Sequence, residues 1–127
     1  MNQFAIKTRL AGLNELIGAN RVALYEGARL KQQMDAICKA AIMEGYAKET
    51  CHSTTAPVRV SFEWHEKTRR RDPDNIFSAK KFILDAMQKT KLIVNDSQKY
   101  IVGLSDTLVI DDWEGVKVSI EEEEGKI

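Results

Sequence analysis

The stretch Pro57-Val-Arg-Val-Ser-Phe-Glu-Trp-His65 constrains this chain more than any other. Val58, Val60, Phe62 and Trp64 alternate with polar residues, the period of two that sets one face of a β-strand on a core and the other in water. Directly after it the pattern breaks into Thr68-Arg-Arg-Arg-Asp-Pro-Asp-Asn-Ile-Phe77. Five charges in the six positions from Arg69 to Asp74 have no use in a packed core, because burying unpaired charge is costly.

Other elements assemble around that strand. Gln3 to Arg9 alternates well enough for a first strand, and Ala11-Gly-Leu-Asn-Glu reads as a turn or loop. Between Ala28 and Tyr46, the apolar residues Leu30, Met34, Ile37, Cys38, Ala41 and Ile42 have the spacing of an amphipathic helix, with Gly45 as its terminator. A second helix is expected from Pro73 to Lys89, with Ile76, Phe77, Ile83, Leu84 and Met87 turned inward. Asn95-Asp-Ser-Gln is a turn, Tyr100 to Ile110 a strand, Asp111 to Gly115 a turn, and Val116 to Glu121 a last strand. The order β-α-β-α-β-β defines an α+β chain, a small mixed sheet covered by two helices. Residues 1–127 are expected to form one domain.

The 127 residues suffice for a single sizeable core. No window approaches 18 consecutive apolar residues, so no membrane span is expected. The N-terminus lacks the basic start and apolar stretch of a signal peptide. Cys38 and Cys51 suit neither a disulfide scaffold nor a zinc site. The expected compartment is the cytoplasm. Net charge is zero, which argues against a general nucleic-acid coat protein. Charge is nevertheless uneven: residues 64–91 carry 8 basic and 4 acidic side chains, and residues 92–127 carry 3 and 9. The run Glu121–Glu124 reads as a solvated acidic end.

The charged decapeptide has two readings. Asp72-Pro73-Asp74 is good grammar for a helix start: an N-cap aspartate, a proline at the first position and an acid in the first turn. It also suits metal-dependent phosphate chemistry, since arginines meet phosphate and aspartates supply oxygen ligands to a hard cation. On one continuous helix Asp74, Ser78, Lys81 and Asp85 share a polar stripe, with Lys81 about 10 Å along the axis from Asp74. The bland alternative is a solvated face with a Lys81–Asp85 pair. Asn95-Asp96 is an Asx turn in isolation. Were the following strand to pair beside Val58–Trp64, Asp96 would return toward Asp72 and Asp74, and three carboxylates could converge on Mg²⁺. His52 and His65 are not spaced as a metal pair, and neither GxxxxGK[ST] nor GxGxxG occurs. Trp113 reads as a packing or dimer residue.

The stretch RRRDPDNIFSAKKFILDAMQKTKLIVNDSQ resembles the RusA family of Holliday junction resolvases, common in phages and prophages. Arg69–Arg71, Asp72, Asp74, Asn75, Lys81, Asp85-Ala86 and Asn95-Asp96-Ser97-Gln98 carry the resemblance, which covers about residues 58–100. It implies a homodimeric, Mg²⁺-dependent endonuclease of the bacterial cytoplasm, with Mn²⁺ as a substitute. Such an enzyme nicks four-way DNA junctions symmetrically in recombination and repair. By the same resemblance Asp72, Asp74 and Asp96 would bind metal, and Lys81 would be the catalytic lysine, with Lys80 a neighbouring candidate. Arg69, Arg70, Arg71 and Lys80 would contact DNA, and Asn14 and Arg21 would line the substrate surface. Two rivals stand beside this: a branched- or single-stranded-DNA-binding protein without nuclease activity, and an adaptor whose dimer interface is its function.

Overall fold

A computed structural model describes residues 1–123. The chain runs β1 (Asn2–Ile6), α1 (Leu13–Val22), α2 (Leu24–Ala47), β2 (Val58–Glu66), α3 (Pro73–Phe77), α4 (Lys80–Lys89), β3 (Ile101–Ile110) and β4 (Gly115–Glu122). It is a single small α+β domain. The four strands form one mixed sheet in the order β1-β4-β2-β3. β2 and β4 occupy the centre, antiparallel to each other, while β3 runs parallel to β2.

The alternation in β2 does what its period dictates. Val58, Val60, Phe62 and Trp64 are almost fully buried, and Val116, Val118 and Ile120 of β4 line up beside them. Phe4 and Ile6 extend this apolar face across β1. Met34, Cys38 and Ile42 of α2 join the same core, as do Ile83 and Met87 of α4. Burial pushes the Cys38 thiol up to about 12, so it stays a neutral core group. Cys51 is buried too, and both cysteines are free.

Several boundaries differ from the sequence reading, each for a local reason. α1 begins inside the stretch read as a turn or loop, Ala11 to Glu15, and runs on to Val22; it buries no side chain and so has little apolar periodicity to detect. Gly45 lies inside α2, not at its end. A Cβ there would overlap the Cys51 sulfur, so the glycine permits close packing, while Glu49 supplies the left-handed turn with φ 62°. The expected helix from Pro73 to Lys89 is divided at Ser78-Ala79. The Ser78 hydroxyl donates to the Asn75 carbonyl at 2.6 Å, and Phe82 N–H bonds Ala79 three residues back, tightening the chain between the two helices.

The acidic run is no free end. Glu121 and Glu122 belong to β4, and Glu122 accepts the Thr54 hydroxyl at 2.6 Å. Glu123 pairs with Arg59 at 2.8 Å, while Glu124 lies outside the described residues. Trp113 stacks on His65 with ring centroids 4.1 Å apart, a packing role. His65 stands between Glu63 (2.6 Å) and Asp111 (3.0 Å), so the end of β2 is tied to the turn leading to β4. Among the described residues no helix is long and apolar enough to cross a membrane.

Phe62 is central to this core and stacks on Trp64 at 5.6 Å between centroids. Phe62→Ala should lower unfolding free energy by about 3–5 kcal/mol, read from the urea transition.

Candidate functional site

The charged corner after β2 is built by ties between two distant segments. The Asn75 side-chain oxygen accepts the Asn14 amide at 3.0 Å, and the Ser78 hydroxyl accepts the Leu13 amide at 2.8 Å. These bonds satisfy free amides at the start of α1 from another part of the chain. Gly12 is required at the junction because a Cβ would overlap both the carbonyl and the side chain of Asn75. Asn75 itself is buried.

Arg71 completes the tie and thereby leaves the group of expected DNA contacts. Its guanidinium is 13% exposed and donates to Glu66 at 3.3 Å and to the Leu10 carbonyl at 3.2 Å, with Glu15 at 3.8 Å. Glu66 is buried, and burial pushes its carboxyl above the ordinary glutamate range while Arg71 pulls it back. Lys80 is turned inward as well. It pairs with Asp106 of β3 at 2.5 Å and lies over the rings of Phe62 and Phe77. Asp106 also accepts the Trp64 indole N–H at 2.9 Å. A lysine held this way is a core-edge support, so Lys81 remains the lysine on the site surface.

Arg69, Arg70, Asp72 and Asp74 are exposed, and none of them is in an ion pair among the described residues. Asp72 occupies the N-cap position of α3, yet its side chain makes no capping bond. Its backbone carbonyl accepts from Asn75 and Ile76 instead. The Asp74 carboxylate accepts the neighbouring Asn75 amide at 3.0 Å. Sequence grammar had offered helix capping as the bland purpose of Asp72, and the side chain does not serve it.

Lys81 lies between two other carboxylates, 3.3 Å from Asp85 and 3.8 Å from Asp96. The loop holding Asp96 is fixed by the Asp96 amide donating to Gln88 of α4 and by the expected Asx turn, Ser97 N–H to Asn95. β3 does pair beside β2, but in parallel. Ile101 stands opposite Val58, whereas Asp72 follows the other end of β2. Asp96 stands beside Lys81 of α4 and, through it, Asp85. Among the described residues no group of three His, Cys, Asp or Glu side chains is close enough to hold a metal ion. Two carboxylate environments result: the open pair Asp72 and Asp74, and the lysine-bridged pair Asp85 and Asp96.

Asn14 and Arg21 are exposed on α1. Asn14 enters the site through its backbone amide, which no residue-type signal would reveal. Asn75 and Ser78, read from sequence as part of the motif and of the polar stripe, are the polar residues that fasten α1 to this corner. The short polar pair beside a predicted helix start was the one available hint. No protein-family model matches the chain, and no curated protein matches it.

The contrast between Arg71 and its neighbour is directly testable. Arg71→Ala should cost on the order of 3 kcal/mol at pH 7, because it leaves a buried carboxylate without its partner. Arg70→Ala should change stability by less than about 0.5 kcal/mol. Without Arg71 the folded-state pKa of Glu66 rises further above its unfolded value, so the folded variant loses stability as pH rises through that pKa. The deficit should accordingly shrink when unfolding is measured below the glutamate range.

Proposed function

We propose that the chain is a RusA-like, Mg²⁺-dependent endodeoxyribonuclease acting on branched DNA, with four-way junctions as substrate. One observation carries the reading: Asp72 and Asp74 stay open to solvent and, among the described residues, free of ion pairs, although three arginines directly precede them. A carboxylate at a helix start without its capping bond, two residues from a second one, is available to a ligand.

Magnesium commonly takes one or two protein carboxylates and keeps water and substrate phosphate for its remaining positions. Asp72 and Asp74 suit that demand as a pair, and Asp96 would act from the neighbouring Lys81 cluster. When bound, the ion would supply an activated water and stabilise the leaving oxygen of a phosphodiester. Arg69 and Arg70 would grip backbone phosphates, giving salt-dependent and largely sequence-independent binding. Lys81, held by Asp85 and Asp96, would offset negative charge developing at the phosphorus.

The reading includes a homodimer in the bacterial cytoplasm, since two identical sites match the near two-fold symmetry of a junction. Supporting it, β3 is an edge strand whose Leu104, Leu108 and Ile110 are each more than 40% exposed. The alternative is a branched- or single-stranded-DNA-binding protein without nuclease activity.

Cleavage of an end-labelled four-way junction in Mg²⁺ separates the two. Wild type should nick the junction, and Asp74→Asn should retain binding while its cleavage rate falls at least a hundredfold, on the order of 3 kcal/mol in the barrier. Wild-type protein that binds junctions but nicks them in neither Mg²⁺ nor Mn²⁺ would leave the binding-protein reading in place.

A further inference from the structure

A groove of about 400 Å³ lies between α1, α2 and α4. Its size falls in the ~300–1,000 Å³ range of small-ligand sites. One wall is apolar, made of Leu13, Leu16 and Phe82, and Leu13 is 53% exposed there. Lys31, Lys81 and Lys89 stand around it. Two acids offset them: Asp35, bound by Lys89 at 3.2 Å and Lys39 at 3.0 Å, and Asp85, bound by Lys81. Lys31 is exposed and in no ion pair among the described residues. With Lys39 and with Asp96, which lies 3.8 Å from Lys81, four lysines meet three carboxylates and leave one positive charge, the complement of a single phosphodiester.

We propose that this groove seats one unpaired nucleotide of a DNA strand, its base against Leu16 and Phe82 and its phosphate at Lys31. The inference rests on the DNA-processing reading and extends it, naming an unpaired nucleotide beside the site as the feature recognised. An apolar wall is of little use to a paired duplex, whose bases are stacked on each other. It suits a base displaced from the stack, because base–aromatic stacking is sequence-tolerant and favourable. Ser78 and Lys81 line the groove and also belong to the charged corner, so a nucleotide held there would lie next to Lys81, Asp85 and Asp96.

The test is equilibrium binding of the full chain, without divalent metal, to two DNAs differing at one position. One carries a single unpaired nucleotide at a branch point, and the other an abasic residue in its place. The unpaired base should tighten wild-type binding roughly 5- to 150-fold over the abasic DNA. Leu16→Ala and Phe82→Leu should each reduce that ratio. Lys31→Ala, a surface change, should weaken both DNAs together and lower the slope of log affinity against log salt by about one. Equal wild-type affinity for the two DNAs overturns the groove assignment and leaves DNA binding intact. An unchanged salt slope for Lys31→Ala removes the phosphate from Lys31 and overturns it also. Displacement of DNA by millimolar free deoxynucleoside monophosphate would make the groove a mononucleotide site and overturn the strand assignment. Failure of wild type to bind any branched DNA at low salt would remove both this inference and the function beneath it.

Discussion

Two hydrogen bonds set the geometry on which the charged surface depends: Leu13 N–H to Ser78 and Asn14 N–H to Asn75. They join residues more than sixty positions apart and fasten the start of α1 to the α3–α4 corner. With Gly12 admitting the Asn75 backbone, the two segments approach closely. Arg71 reinforces the union through Glu66 and the Leu10 carbonyl. Asn75 is buried at this junction, and a buried acceptor deprived of its partner costs about 1–3 kcal/mol.

The union sorts the charges of the decapeptide into two kinds. Arg71 faces inward and is consumed by structure, as is Lys80 at the start of α4. Arg69, Arg70, Asp72 and Asp74 face outward without ion-pair partners among the described residues. Adjacent arginines and aspartates could be expected to neutralise one another. The short α3 turn and the fixing of Arg71 leave the two carboxylates open instead. That openness, more than the number of acidic residues, makes the corner a candidate for phosphate chemistry.

Much of the fold was legible in the residues. The alternation of Val58 to Trp64 marked the central strand, and the apolar spacing from Leu30 to Ile42 marked α2, because burial on one face imposes a strong period. α1 escaped notice since its N-terminus is capped by Asn75 and Ser78 from another segment and its side chains are not buried. The division between α3 and α4 escaped for a related reason: Ser78 is an ordinary polar residue until its hydroxyl bridges two elements. The candidate site was legible as composition but not as geometry. Local patterns place Asp96 in an Asx turn, and only the folded chain brings it to Lys81. Likewise Lys80 and Lys81 are indistinguishable neighbours in sequence, and only the helix phase sends one to Asp106 and the other to Asp85 and Asp96.

Asp72 and Asp74, open and unpaired among the described residues, are proposed to receive a divalent cation. Mn²⁺ titration followed by electron paramagnetic resonance, on wild type and on the Asp72→Asn, Asp74→Asn double variant, addresses it without requiring any cleavage. Wild type should bind Mn²⁺ saturably, in competition with Mg²⁺, and the binding should be lost in a variant that remains folded. Identical Mn²⁺ binding by the two proteins would contradict the proposal.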